Sequence, residues 1–178
     1  MDGVAKSIEE NILYRKVWQM TKQIEIYIEG NLTDGMKKTA LELVEYLKAN
    51  GLTFYKDTCE YWKDKIYYWV KLGDECVCFI AIKDPDEPDN LWTIWSDDSS
   101  AYEDASIRDE IKNIGWKYVD YCGNCGSCGG GKEKIIFGQH FLRVCRCTFR
   151  IDNAMQEDLP FLKTMVDLRI KEITHPII

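Results

Sequence analysis

The chain has 178 residues, 46 % of them apolar, and a formal net charge of −7. That length can bury a real core within one domain, 1–178, and six Trp with ten Tyr argue against a disordered polypeptide. Its acidity, with no basic stripe, argues against nucleic acid as a partner, because such binding rests on cations that displace counterions.

No apolar run approaches membrane-spanning length; "CVCFIAI" at 76–82 is among the longest. The N-terminal "MDGVAKSIEENILYRK" is charged and helical in pattern, without the apolar centre of a secretory signal or the Arg/Ser bias of a transit peptide. The expected location is cytoplasmic, with a small molecule or another protein as partner and no membrane.

Ser7-Ile8-Glu9-Glu10 fits a capping box, and Leu13, Val17, Met20, Ile24 and Ile28 then form one apolar helical stripe that Gly30 is predicted to close. A second helix is predicted from Thr33 or Asp34, with Met36, Ala40, Leu43, Val44 and Leu47 on one face. Asn50-Gly51 ends it, since both residues tolerate a left-handed backbone. "LTFYKD", "KIYYWVKLG", "ECVCFIAIK" and "LWTIWS" have the β-branched and aromatic content of strands, with a hairpin turn at Gly73-Asp74. The acidic run "DPDEPDN" before the last of these reads as a solvated loop. Residues 103–119 return to helical spacing through Ile107, Ile111, Ile114 and Tyr118. "KIIFG" and "HFLRVCRCTFRI" read as strands, and 154–173 as a final helix with Asn153-x-x-Gln156 as its capping box and Pro160 requiring a late start. Strand runs joined by short turns imply antiparallel pairing. The predicted class is α+β, with about five to six antiparallel strands packed with two N-terminal helices, one middle helix and one C-terminal helix.

Eight cysteines are many for a reducing compartment, where clustered thiols point to metal or thiol chemistry. The cluster is "YCGNCGSCGGGK", with Cys122-x2-Cys125-x2-Cys128, followed by His140 and by Cys145-x-Cys147. Zinc needs four soft ligands in a tetrahedron, and glycines let the backbone curl around the ion. The candidate metal ligands are Cys122, Cys125, Cys128 and Cys145, with Cys147 or His140 as alternatives to the last. A reduced thiol cluster without metal fits the same residues. An iron–sulfur cluster would need its fourth thiolate from a distant strand, since "GGGKEK" follows Cys128. A dithiol redox protein is the enzyme alternative, with no helix N-terminus predicted beside Cys122 to stabilise a thiolate. Gly126-x4-Gly131-Lys132 resembles a P-loop, but Glu133 replaces the magnesium-binding hydroxyl and a strand follows where a helix should open. Cys145 and Cys147 are expected to share a strand face with Phe149 and Ile151, and Cys76 and Cys78 to pack in the same manner.

Aromatic residues concentrate in the strands. Trp62, Tyr67, Trp69, Trp92 and Trp95 are the candidate lining of an apolar ligand pocket. In "YYWV" the rings point both ways, so the sheet is either covered on both faces, the favoured reading, or has one face that binds. No side-chain constellation in the chain names a reaction.

The segment "GWKYVDYCGNCGSCGGGKEKIIFGQHFLRVCRCTFRID", with the helix after it, resembles the end of small bacterial proteins that have no assigned activity. The resemblance implies that Trp116, Cys122, Cys125, Phe137, Gly138, Phe141 and Cys145 form one helix, cysteine-loop and hairpin unit. The expected function is therefore binding, with the loop as a structural zinc clip or reduced thiol cluster.

Overall fold

The computed structural model describes residues 23–60, 64–125 and 129–175. The predicted capping box at Ser7–Glu10, the stripe positions Leu13, Val17 and Met20, and the site residues Trp62 and Cys128 lie outside the described residues.

Helix α1 covers 23–31 and buries Ile24 and Ile28. It does not stop at Gly30 but runs to Asn31, whose side-chain amide donates to the Tyr27 carbonyl at 2.8 Å. Helix α2 (Asp34–Ala49) buries Ala40, Leu43, Val44 and Leu47, the predicted face apart from half-buried Met36. Its end is the predicted one: Gly51 takes φ 77°, and the amides of Gly51 and Leu52 return to the carbonyls of Lys48 and Leu47 at 3.0 and 3.1 Å.

Strands β1 (Thr53–Lys56), β2 (Ile66–Leu72), β3 (Glu75–Ile82) and β4 (Trp92–Ser96) follow as an antiparallel meander. Gly73, at φ 61°, makes the β2–β3 turn with Asp74 as predicted. After a 3₁₀ turn (Ser100–Tyr102) come α3 (Asp109–Lys117), β5 (Val119–Tyr121), β6 (Lys132–Ile136), β7 (Gln139–Asp152) and α4 (Leu159–Thr174). The sheet runs β1-β2-β3-β4-β7-β5, and β6 also pairs with β7. The class is α+β with an antiparallel sheet, as expected, but among the described residues the strands number seven. The additional one is β5, whose three residues are too few to show an alternation.

Two helix boundaries also differ from expectation. The middle helix begins at Asp109 rather than near 103, because the Tyr102 and Glu103 carbonyls are taken by the amides of Phe137 and Gly138 at 2.7 and 3.2 Å. The last helix begins at Leu159 with Pro160 in its first turn. Asn153 is no cap: its side-chain oxygen accepts from the Leu91 amide at 2.8 Å, while Asp158 accepts from the Met155 amide at 2.9 Å.

One sheet face carries Tyr68, Val70, Ile80, Ile82, Ile94, Phe149 and Ile151 into the main core, which α1, α2 and α4 complete. Its centre is aromatic: Phe149 lies 5.0 Å from Tyr102, 5.7 Å from Phe137 and 5.0 Å from Phe161, ring to ring. Phe137 and Gly138 form the β6–β7 turn at φ 53° and 82°. A bulky residue in that left-handed region is unfavourable, and the bond to Tyr102 and the stack on Phe149 hold it there. Gly115 of α3 has a steric reason: a Cβ there would lie 2.6 Å from the Phe161 ring and 2.9 Å from that of Phe137.

Candidate functional site

Strand alternation sends Tyr67, Trp69, Phe79 and Trp95 to the face opposite the helices. The register then aligns them across the sheet: Tyr55 pairs with Trp69, Trp69 with Phe79, Phe79 with Trp95, and Trp95 with Arg150. This is one continuous row over five strands, β1, β2, β3, β4 and β7. Trp69 meets Phe79 edge-on at 4.7 Å, and Tyr67 lies 6.1 Å from Phe79 and 6.0 Å from Trp95. Phe79 and Ala81 are buried yet stand apart from the main core. The rings shield one another, and among the described residues no helix covers them. On this face Phe79, Ala81 and Thr93 are buried, and Tyr67, Trp69 and Trp95 are half-buried.

Polar groups frame the row. The Trp69 indole N–H donates to Asp57 Oδ2 at 2.8 Å. Burial works to raise the Asp57 pKa, but the Cys59 amide and this indole outweigh it and the net direction is down. Arg150 lies over the Trp95 ring at 5.4 Å and is ion-paired with Glu87 and with Asp152, the latter at 3.0 Å. At the other end Lys71 lies over Tyr55 and Trp69 at 5.6 and 5.8 Å. The acidic run is thus not simply a solvated loop, since Glu87 holds Arg150 and Asp84 accepts from Lys65 at 2.9 Å.

Of the predicted pocket residues, Tyr67, Trp69 and Trp95 come together. Trp92 does not: it is 1 % exposed and faces the main core beside Ile94. Two positions separate Trp92 from Ile94 and three separate it from Trp95, so period-two alternation puts Trp92 and Trp95 on opposite faces. Tyr55, Phe79 and Arg150 were missed. The same alternation would have found Phe79, but the pairing of Trp95 with Arg150 joins segments distant in sequence.

The cysteine loop leaves the sheet from β5. Cys122 is buried, its amide donates to the Arg143 carbonyl at 2.8 Å, and its Sγ receives the Asn124 N–H at 3.4 Å. Gly131 closes the other end, because a Cβ there would lie 2.7 Å from both the Arg143 carbonyl and Cys122 Cβ. Only glycine lets the two ends approach so closely. Cys125 is exposed. Cys145 bonds to the Asp120 carboxyl, whose pKa burial raises and this bond partly lowers.

Cys145 and Cys147 do not pack with Phe149 and Ile151 as expected. The register slips between Val119 and Tyr121, Thr148 and Phe149 are buried in succession, and both cysteines remain half-buried. Burial, with Cys145, Asp97 and Asp120 nearby, pushes the Cys147 thiol up to about 12. Burial does the same for Cys76, while Cys78 lies wholly in the core. His140 stands near the β6–β7 turn, opposite Ile135, with Nε2 3.5 Å from Glu133. Among the described residues no group of three or more His, Cys, Asp or Glu is placed to hold a metal ion.

The segment after the loop is strand β6, as predicted, so the helix of a P-loop is replaced by a hairpin. Among the described residues no helix is long and apolar enough to cross a membrane. Comparison with known proteins finds no family model, no curated protein and no solved structure that matches the chain.

Proposed function

We propose that this is a binding protein that takes a small, flat, ring-bearing molecule on the aromatic row, with the cysteine loop as a structural zinc clip on the same sheet. The row itself carries this reading. Its rings are fixed by one another and by Asp57 and Arg150 before any ligand arrives, so little side-chain freedom is lost on binding. Five strands at about 4.8 Å spacing make it about 19 Å wide, the scale of a small molecule. Stacking gains roughly 25 cal/mol per Å² of apolar surface removed from water. Arg150 supplies a fixed polar end for orientation.

The clip would use Cys122, Cys125, Cys128 and Cys145 as four thiolates. Support comes from the register: Tyr121 pairs with Val144, so Cys145 is a diagonal neighbour of Cys122, about 7–8 Å away between backbones. His140, near the hairpin turn, is a poorer fourth ligand. Zinc held there would tie the β5 edge to β7 and add its binding energy to folding.

The test uses the fluorescent probe 8-anilinonaphthalene-1-sulfonate on the native chain. Saturable enhancement is expected, abolished by Trp95→Ala and Trp69→Ala and retained by Tyr121→Ala, which removes a 60 % exposed ring off the row. Equal enhancement from all four proteins, each folded by near-ultraviolet circular dichroism, would refute the row as the site.

A further inference from the structure

The glycines that end the cysteine loop fail as a P-loop, yet the fold sets them against a group of cations. Lys132, Lys134 and Arg146, with the carboxylate of Asp98 and the backbone of Gly129 and Gly130, line a cavity of about 280 Å³. Three cations against one carboxylate leave a local charge near +2, in a chain whose net charge is −7. Lys132 and Lys134 reach one side of β6 by alternation, and Arg146 comes from the paired strand β7.

The cations differ in what already holds them. Lys134 is fixed, donating to Asp98 at 2.7 Å and to Thr148 Oγ1 at 2.8 Å. Asp98 is thereby neutralised by Lys134. Lys132 and Arg146 are exposed, and neither side chain has an ion pair or hydrogen bond among the described residues. Like charges gathered on one cavity without a counter-charge repel each other, and an anion placed between them removes that cost. Gly129 and Gly130 can contribute only backbone, and a Cβ at either would meet nothing within 4 Å, so the space above them is open.

We propose that this cavity binds a phosphate group, free or as a small monoester, with Arg146 and Lys132 contacting its oxygens and Lys134 as a fixed positive wall. Phosphate suits it better than a carboxylate because it carries more charge and offers oxygens in several directions. Arginine can engage two of them at once. The site is separate from the aromatic row.

The test is a titration of the full chain with inorganic phosphate, followed by amide signals in a ¹H–¹⁵N spectrum. The Gly129, Gly130 and Lys132 amides should shift saturably. The double variant Lys132→Gln/Arg146→Gln should weaken binding at least tenfold, whereas Lys38→Gln, the loss of one exposed cation on α2, should leave it unchanged. Both replaced side chains are exposed and have no partner among the described residues, so an unchanged melting temperature should accompany the loss. O-phosphoserine binding at least tenfold tighter than phosphate would assign the monoester; equal affinity would assign the free anion. Shifts scattered over the surface without saturation, or a double variant that binds like Lys38→Gln, would overturn the proposal.

Discussion

On one face of the sheet Tyr68, Val70, Ile80, Ile94 and Phe149 lie under helices, almost wholly removed from water. On the other, Tyr67, Trp69, Phe79 and Trp95 lie against one another, edged by Lys71, Asp57 and Arg150. Both faces are apolar, but the first is closed by helices, whereas among the described residues the second is shielded by its own rings. The closed face carries the stability of the fold. The half-buried rings of Tyr67, Trp69 and Trp95 keep some apolar surface, which the proposed ligand would cover.

Large substitutions should separate the two faces. Phe149→Ala, which empties the meeting point of three other rings, should cost about 3–5 kcal/mol in urea denaturation. Trp95→Ala should cost about 1–2 kcal/mol in the same experiment, since its ring is only partly covered and loses chiefly its ring and Arg150 contacts. Equal costs would erase the distinction.

The cysteines allow a sharper contrast between a loop and isolated thiols. If the clip holds zinc, elemental analysis of untagged protein purified with reductant and without chelator should return one zinc per chain. Cys125→Ser should then lower the melting temperature by about 5 °C or more, and Cys59→Ser by less than about 2 °C. Equal small shifts, with no metal, would leave the loop a reduced thiol cluster. Gly131→Ala should cost about 1–3 kcal/mol because its Cβ collides with the Arg143 backbone, and Gly129→Ala, with open space around it, much less.

The smallest effect lies at the edge of the covered face. Burial works to raise the Glu172 pKa, but Ser100, Ser99 and Arg169 outweigh it and hold the carboxyl at about 2 against an ordinary 4.5. A carboxyl lowered by folding stabilises the protein above its unfolded pKa and loses that contribution as pH falls towards the folded one. Wild type should therefore lose stability between pH 4.5 and about 2 relative to Glu172→Gln, which starts lower at neutral pH and has the shallower acid limb. Parallel curves would show that the carboxylate contributes nothing.

Local pattern made much of this legible. The α2 terminus at Asn50-Gly51 and the Gly73-Asp74 turn are set by residues adjacent in sequence, and both stand where predicted. Strand β5 was invisible because three residues carry no period. The α4 start was misplaced because Asn153, a good cap by type, is drawn to the Leu91 amide 62 residues away. The candidate sites divide in the same way. Tyr67, Trp69 and Trp95 were evident from composition, whereas the row they form depends on register between distant strands. The thiols of the loop were evident from spacing, whereas its closure by Gly131 depends on Arg143 of β7.

The most direct measurement is indole N–H line broadening by a soluble gadolinium chelate on the wild-type chain, with and without saturating 8-anilinonaphthalene-1-sulfonate. An open aromatic face predicts that Trp69 and Trp95 broaden while Trp92, 1 % exposed, stays sharp, and that the probe restores the first two. Trp69 and Trp95 signals as sharp as Trp92, or broadening that the probe leaves unchanged, would contradict the aromatic row as the binding surface.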